Sequence, residues 1–469
     1  MSDPIVPQHL VLVLPSTGEF DSRSWRIARA CLERGHRVTI VARWRDGLPL
    51  DEEHPLGFRL MRVRASAQDG MPLKGLVRAA RVIVRRIHAW RTRTPYRPPE
   101  IPRVEDVAAP PPPVAGSSSA VRAGSPDSPA LAARRVPLHR RLWAGLQRRI
   151  AIPLTIRSHR RNAARMVPAG DLYHGMTYMG IPVALELGKR DGVPVVYDAR
   201  DIYLEARNMA RMGRAARWFL GRLERGWAKA AGRVITVNDA YAGVMAGRWP
   251  VQRPLVVMNC SFRYTPPVPR ERRFHERFGL APAEKVVLYH GGFFPWRGIE
   301  QLIEAIPLVP GATLVLMGYG VLEPTLRAWE ADPATKGKVR VMGAVPPDEL
   351  HDWVASADVV AMPIQGDTMN HRLTTPNKLF EAMAAGVPAV VSDLPGMSAV
   401  VRQTGSGILV DPTDTPAIAA AIRRIVELPE ADWQAWRERC LAAAHGTYNW
   451  ETQVDKLLAT YTELTGRPW

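Results

Sequence analysis

The sequence predicts an α/β protein with two Rossmann-like domains, each a parallel sheet covered by helices. Short apolar runs alternate with helical patterns over most of the 469 residues. Continuous apolar strands separated by helices are typical of parallel sheets buried on both faces. The alternation comes in two blocks, which meet near residues 250–254. At roughly 100–200 residues per domain, the chain is also long enough for two or three domains.

The elements of each block follow from these apolar runs. In the first block the predicted helices include Ser22–Arg34 and Gly213–Ala231, and the predicted strands are Leu10–Leu14, Arg37–Ala42, Val193–Tyr197 and Arg233–Val237. In the second block the predicted strands are Lys285–Tyr289, Thr313–Met317, Val339–Met342, Val359–Met362, Ala389–Val391 and Gly407–Val410. We expect a first domain over residues 1–250, a second over residues 251–440, and a helix within residues 441–469 that packs back on the first domain.

A basic insert, at about residues 70–166, interrupts the first block. The chain carries 63 Lys and Arg against 45 Asp and Glu, a net charge of +18. Residues 71–170 hold 20 of these cations and four acids, which leaves +16 in this stretch alone. Proline-rich residues 94–130 predict a disordered or polyproline-like linker. Before it, a basic amphipathic helix is predicted from apolar residues at helical spacing, namely Leu73, Leu76, Ala80, Ile83, Ile87 and Trp90.

Three interpretations of the insert are open. Its helix could pack on its own domain with a solvated basic face, or dock on an anionic membrane surface. Nucleic-acid binding is the third, although no recognisable binding motif accompanies the charge.

Cysteine usage and the N-terminus predict the compartment. The three cysteines, Cys31, Cys260 and Cys440, are widely spaced and support neither a disulfide framework nor a zinc site. The apolar run Leu10–Leu14 is much shorter than a signal sequence or a membrane span. We therefore expect a cytoplasmic protein without a transmembrane helix, and no obligatory metal or other cofactor.

Two loops that follow predicted strands are candidates for a phosphate site. Ligands of parallel sheets bind beyond the carboxyl ends of the strands. After the first strand, Gly18 allows close backbone approach and Ser22 is a candidate helix cap. In the second block, Gly291 and Gly292 precede Arg297 at the start of a helix. Backbone amides, a helix N-terminus and a guanidinium together suit a diphosphate.

A third candidate segment, residues 373–388, opens another helix. Thr375 can cap it and Pro376 fits its first position, while Lys378 adds a positive charge. Glu381 lies one turn further on, among apolar neighbours that leave little room for a solvated face. Its two carboxylate oxygens suit the hydroxyls of a ribose.

A fourth segment, residues 197–201, ends a strand of the first block. Asp198 and Asp201 could form a metal pair, but two carboxylates without a nearby His favour ordinary polar interactions at a strand end. His174 lies at the end of another strand, where a lone His is more often structural.

Together these segments resemble family 4 of the retaining glycosyltransferases, whose GT-B architecture has two Rossmann-like domains facing across a cleft. The strongest likeness is residues 376–388, which look like the donor-binding helix of that family. Further matches fall in the usual order, at Arg34–Val38, Asp171–His174, Val237–Asp239, Gly318–Gly320, Gly343–Val345, Ala357–Val359 and Val410–Pro412.

The resemblance implies roles for the site residues. Arg297 and Lys378 would hold the donor diphosphate, Glu381 the ribose hydroxyls, and the backbone near Val345 the nucleobase. Gly18 would lie against the sugar-phosphate. The implied donor-binding set is Gly18, Gly291, Gly292, Arg297, Val345, Thr374, Thr375, Asn377, Lys378 and Glu381. Since the leaving group is a nucleoside diphosphate, the chemistry needs charge stabilisation more than a protein nucleophile.

Two positions depart from the family pattern. The family commonly has two Glu with seven residues between them, but the position eight before Glu381 is Leu373. It also often has His where this chain has Arg200, and an arginine stays protonated and cannot act as a base. Asp201 and His174 are then left, with Arg297 and Lys378, as candidates for catalysis.

The predicted activity is transfer of a sugar, with retention, from a UDP- or GDP-sugar to a lipid-linked or envelope polysaccharide acceptor. The basic insert places this at the inner face of the cell membrane. A degenerate membrane scaffold and a sugar-nucleotide epimerase of the same fold are the alternatives. Nucleotide-sugar binding separates the scaffold from the enzyme, and a product formed without an acceptor separates the epimerase.

Overall fold

A computed structural model describes residues 6–19, 21–67, 138–206, 209, 212–335 and 337–469. The predicted amphipathic helix and the proline-rich linker lie outside these described residues. Packing divides the chain into two compact units, residues 1–64 with 159–469 and residues 65–158. Both sheets belong to the first unit. In the second unit, the Ser66 N–H donates to Ser158 Oγ at 3.4 Å.

The first domain is built on an eight-stranded sheet in the order β3-β4-β2-β1-β5-β6-β7-β8. Only β3 is antiparallel to its neighbour in this sheet. The sheet runs to Val256, six residues beyond the predicted domain boundary at residue 250. Its strands are β1 (His9–Val13), β2 (Arg37–Arg43), β3 (Asp51–Glu53), β4 (Arg59–Val63), β5 (Leu172–Met176), β6 (Val195–Asp198), β7 (Arg233–Thr236) and β8 (Leu255–Val256).

Side-chain caps fix where the helices of this domain begin. Asp21, not Ser22, caps the first helix, because its carboxylate accepts the Ser24 N–H at 3.0 Å and Ser22 is already helical. Asn238 caps a later helix by accepting the Tyr241 N–H at 2.8 Å. The described helices are α1 (Ser22–Leu32), α2 (Leu138–Met166), α3 (Thr177–Asp191), α4 (Arg214–Ala230) and α5 (Asp239–Arg248).

The second domain contains a six-stranded, wholly parallel sheet in the order β11-β10-β9-β12-β13-β14, and every strand predicted for the second block is present. These strands are β9 (Lys285–Gly292), β10 (Ala312–Tyr319), β11 (Val339–Met342), β12 (Val359–Met362), β13 (Ala389–Ser392) and β14 (Gly407–Val410). The helices that follow β8 are α6 (Arg273–Phe278), α7 (Ile299–Ala305), α8 (Glu323–Glu330), α9 (Leu350–Ala355), α10 (Met369–Leu373), α11 (Asn377–Ala384), α12 (Pro395–Thr404), α13 (Thr415–Val426), α14 (Glu430–Gly446) and α15 (Trp450–Thr465).

Each sheet has an apolar core on both faces, because alternate residues of a strand point to opposite sides. In β1, Leu10 and Leu12 belong to one buried cluster and Val11 and Val13 to another. Residues of α15, among them Trp450, Leu457 and Tyr461, are buried in the first of these clusters, so the last helix packs on the first domain. No helix in the described part of the chain is both long and apolar enough to span a membrane.

Candidate functional site

The candidate site lies where the strand order of the second sheet reverses. From β9 the chain runs outward through β10 and β11, and β12 then returns to the other side of β9. Loops that leave two strands on either side of such a point enclose a crevice, which is where ligands of parallel sheets bind. Here these are the loop from Gly291 to Gly298 and the segment between β12 and α11.

Gly298 shapes the first of these loops. Its φ is +79°, and a Cβ there would lie 2.1 Å from the carbonyl oxygen of Pro363, so only glycine fits. The close approach brings the loop after β9 against the segment that follows β12. Arg297, one residue earlier, lies near enough to Lys378 of α11 for its charge to act on that lysine.

Two cations of this crevice lack a carboxylate partner. The Lys378 ammonium lies 3.7 Å from the centre of the Tyr289 ring. A Cβ added to Gly291 would lie 3.7 Å from the same ammonium nitrogen. Burial, and then the charge of Arg297, lower the pKa of Lys378 to about 7. No carboxylate in the described ranges forms an ion pair with Arg297 or Lys378. Two neighbouring unpaired cations beside a helix N-terminus form a site for an anion.

Glu381 lies one turn into α11, where one of its oxygens is 2.8 Å from His290 Nε2. Burial acts to raise the pKa of Glu381, but the hydrogen bond and charge of His290 and the charge of Arg26 outweigh it. The pKa therefore lies below its usual value, and Glu381 is a carboxylate at neutral pH. It can accept hydrogen bonds from hydroxyl groups of a ligand.

The first domain also reaches this carboxylate. Arg26 donates to the Cys260 carbonyl at 2.7 Å, and Asn259 donates to the Asn377 side chain of α11 at 2.9 Å. His351 of α9, whose ring stacks on Tyr264, adds a further electrostatic neighbour of Glu381. Arg26 and His351 lie far from the predicted motifs, so no local signal indicated them. His290 directly precedes the predicted glycines but was not itself predicted as a site residue.

Other predicted donor residues are placed differently from expectation. α11 begins at Asn377, so Pro376 occupies the cap position and the prediction that Thr375 is the cap is wrong. The Thr375 hydroxyl donates to the Gly396 carbonyl at 2.9 Å and accepts from Asn238 at 3.1 Å, so it is occupied by the protein itself. Thr374 forms a hydrogen bond with the Tyr241 side chain.

The remaining predicted donor residues lie at the ends of strands or in the loops that follow them. Val345 is half-buried in the loop after β11, packed against the core of the second domain. Gly292 ends β9 beside Phe294. Gly18 follows β1 in the first domain with φ +84°, against Leu60.

His174 belongs to a buried ion network rather than to the cleft. The Arg23 guanidinium lies 2.6 Å from Asp198, and His174 lies 3.3 Å from the same carboxylate with Tyr461 on its other side. None of His174 is exposed, since β5 is a central strand covered on both faces. His174 is predicted above as a candidate for catalysis, and its complete burial keeps it away from the surface of the cleft.

Arg200 and Asp201 follow the same strand, β6, with different surroundings. Arg200 forms a two-pronged ion pair with Asp21, at 3.0 and 2.9 Å, so it anchors the N-terminus of α1. Asp201 is exposed and accepts a hydrogen bond from Asn370 of the second domain at 3.0 Å. Within the described residues, no group of His, Cys, Asp and Glu has the geometry of a metal site.

Sequence comparison finds a family match in the second domain. Residues 284–427 match the family described as glycosyl transferases group 1. The match lies entirely within the second domain.

The curated relatives are similar over less than half of this chain. A D-inositol 3-phosphate glycosyltransferase of Mycobacterium marinum is 29% identical over 195 residues, which are 40% of this chain and 40% of that protein. A GDP-mannose-dependent alpha-(1-6)-phosphatidylinositol monomannoside mannosyltransferase of Mycobacterium tuberculosis is 30% identical over 204 residues, which are 42% of this chain and 51% of that protein. The chain thus matches about half or less of the length of these relatives.

Solved structures match the whole fold. The sucrose-phosphate synthase of Thermosynechococcus elongatus superposes with a TM-score of 0.68 and 16% identity, covering 98% of this chain and 99% of that chain. Anabaena Alr3699/HepE, solved in complex with UDP and glucose, gives a TM-score of 0.60 and 16% identity over 97% and 100% of the two chains. These likenesses confirm the fold predicted from the sequence, the GT-B architecture of two Rossmann-like domains.

Proposed function

We propose that this protein is a retaining glycosyltransferase, which moves a sugar from a UDP- or GDP-sugar to a lipid-linked or envelope polysaccharide acceptor at the cytoplasmic membrane surface. The observation that carries the proposal is the unpaired Arg297 and Lys378 beside the Glu381 carboxylate. This arrangement suits a nucleoside diphosphate, with the cations on the diphosphate and Glu381 on the ribose. A relative that uses GDP-mannose and a neighbour that binds UDP support these two nucleotides.

The site supplies what departure of a diphosphate requires. When the bond from the sugar to the diphosphate breaks, negative charge develops on the leaving phosphate oxygen. Arg297, Lys378 and the first amides of α11 are already oriented toward that charge, so little reorganisation is needed. The proposal requires no metal, because these groups are sufficient to neutralise the leaving group.

The first domain offers a surface for the acceptor and the membrane. The large exposed side chains of α4 are aromatic or basic, and Trp218 and Phe219 are 68% and 48% exposed. The exposed cations of this helix are Arg214, Arg222, Arg225 and Lys229. Aromatic and basic side chains on one helix face favour the headgroup region of an anionic membrane.

A cavity of about 310 Å³ opens beside this helix. It is lined by Tyr203 and Trp218, with Glu224 and Arg248 among the polar side chains. Aromatic rings with a few polar groups suit a sugar or polyol ring. We assign the acceptor to this cavity in the proposed reaction.

Thermal unfolding with nucleotides tests the donor half of the proposal. UDP, GDP, ADP and dTDP, each with and without a common sugar, are added to the wild type, to Glu381→Ala, and to the exposed control Glu438→Ala. A ligand at 100 times its Kd stabilises the folded state by about 2.7 kcal/mol. We expect stabilisation by UDP or GDP in the wild type and the control, and none in Glu381→Ala. No stabilisation by any nucleotide would favour the scaffold alternative.

Flotation with liposomes tests the membrane half. We expect the protein to float with vesicles that contain phosphatidylglycerol and to remain below neutral phosphatidylcholine vesicles. Trp218→Ala with Phe219→Ala should weaken flotation, whereas Trp436→Ala, on the opposite domain, should leave it unchanged. Binding that does not depend on anionic lipid would contradict this half alone.

A further inference from the structure

The segment between β12 and α11 extends from the second domain and packs against the first. Leu373, at the position where related sequences commonly have Glu, packs with an apolar cluster of the first domain that includes Ile202 and Tyr241. The Asn238 side chain of the first domain donates to the Leu373 carbonyl at 2.8 Å. This departure from the family pattern therefore places an apolar anchor between the domains.

Asn370 connects this segment to three residues of the first domain. Its side-chain oxygen accepts from the Ile202 N–H at 3.0 Å and from the Tyr241 hydroxyl at 2.8 Å. Its amide nitrogen donates to Asp201 at 3.0 Å. A backbone N–H can only donate and a carboxylate can only accept, so the amide has a single allowed orientation. Asn370 thus holds Asp201 and the loop after β6 in one geometry.

The same segment leads directly into the anion site. Asn370 precedes α11, and that helix carries Lys378 and Glu381. Movement of the first domain away from the second would break the contacts of Asn370 and Leu373 together. It would also open the crevice to water next to Lys378.

We propose that Asn370 is a positioning residue, which fixes Asp201 at the mouth of the cleft and keeps the two domains closed over the donor. Its catalytic consequence rests on the proposed transferase function, whereas its effect on closure does not. In the reaction, Asp201 would be held where an acceptor hydroxyl can donate a hydrogen bond to it. Asn370 acts only through Asp201 and the domain contact, and it does not touch the donor.

Two substitutions separate the two roles of Asn370. Asn370→Ala removes every side-chain contact, whereas Asp201→Ala leaves both hydrogen bonds that Asn370 accepts and removes only its donation. Arg372→Ala, an exposed position of the same helix, is the matched control. All variants are made in the full chain.

Distances between the domains test closure without any activity. Spin labels are placed by Lys189→Cys and Arg423→Cys, two exposed positions on different domains, while the native cysteines are buried. Pulsed EPR should give a broader or longer distance distribution in Asn370→Ala than in the wild type. Asp201→Ala and Arg372→Ala should retain the distribution of the wild type. An unchanged distribution in Asn370→Ala would overturn the proposal, whether or not the protein is a transferase.

Steady-state kinetics test positioning. Loss of one hydrogen bond to a charged group corresponds to roughly a ten- to hundredfold change in rate. We expect kcat for transfer to fall by at least about tenfold in Asn370→Ala and in Asp201→Ala, with the KM for donor and the Kd of UDP or GDP nearly unchanged. Combined with Asp201→Ala, Asn370→Ala should add little further loss. If the wild type transfers sugar and Asn370→Ala has the same kcat, the inference fails while the proposed function stands.

Discussion

The substitution Lys378→Met tests the anion site. Without a bound anion, the buried positive charge of Lys378 lowers the stability of the folded protein. Burial, followed by the charge of Arg297, lowers the pKa of Lys378 from 10.5 to about 7. The unfolded chain restores the ordinary value, a difference of about 3.5 pK units. At about 1.36 kcal/mol per unit, the protonated lysine destabilises the folded state by at most about 4–5 kcal/mol below pH 7.

The sign of the pH dependence follows from the lowered pKa. Between pH 7 and 10.5 the unfolded lysine keeps a proton that the folded one has lost, so stability rises with pH in the wild type. Methionine keeps the unbranched stem but loses the cation–π contact with Tyr289, worth about 0.5–2 kcal/mol. We therefore expect Lys378→Met to stabilise the protein by about 2 kcal/mol at pH 7, with a smaller gain at pH 9.

Unfolding melts and calorimetric titrations measure the two consequences. Melts of the wild type, Lys378→Met and the exposed control Lys189→Met are recorded from pH 6.5 to 9. At pH 8, binding of UDP or GDP should take up close to one proton in the wild type, because a bound diphosphate restores the lysine charge. Lys378→Met should show no such uptake. If Lys378→Met is less stable than the wild type, the charge of Lys378 does not destabilise the folded protein. If the wild type binds UDP or GDP without proton uptake, the diphosphate does not restore the charge of Lys378.

Two further predictions concern stability. Arg23→Met leaves the fully buried Asp198 without its cation and should cost about 3–5 kcal/mol, seen as a lower Tm; an unchanged Tm would show that the pair contributes nothing. Gly298→Ala places a Cβ 2.1 Å from the Pro363 carbonyl and should cost more than about 2 kcal/mol. Gly311→Ala, with positive φ but open space, should cost only about 1 kcal/mol, and equal losses for the two glycines would contradict the steric argument.

The sequence was most informative where strands are long and apolar. Every strand predicted for the second sheet is present, because a strand buried on both faces reads as a continuous apolar run. β3 and β8 gave no such signal, since β3 consists of acidic residues at an edge and β8 has two residues. In β4, the buried Arg62 interrupts the apolar run, and its charge is satisfied by backbone carbonyls and Glu52.

In the candidate site, residues close together in the sequence were predicted, and residues contributed by the other domain were not. Lys378 and Glu381 share one short helix, and Arg297 lies on an adjacent loop, so local sequence was enough to bring them together. Arg26 and Asn370 act across the cleft, and only the relative placement of the domains shows it. The sequence predicts His174 at the end of a strand, whereas it lies in the middle of β5 and contacts Tyr461 of α15. This burial depends on a helix residue 287 positions later in the chain, which local sequence does not show.

Titration of the protein with a nucleotide and with its nucleoside tests whether Arg297 and Lys378 bind the diphosphate of the donor. Two charge-assisted hydrogen bonds of about 1.5–3 kcal/mol each predict at least about 100-fold tighter binding of UDP than of uridine, or of GDP than of guanosine. In the double variant Arg297→Gln with Lys378→Met, we expect this ratio to collapse toward one, with nucleoside binding unchanged. If the double variant still binds the nucleotide at least about 100-fold more tightly than the nucleoside, Arg297 and Lys378 do not bind the diphosphate.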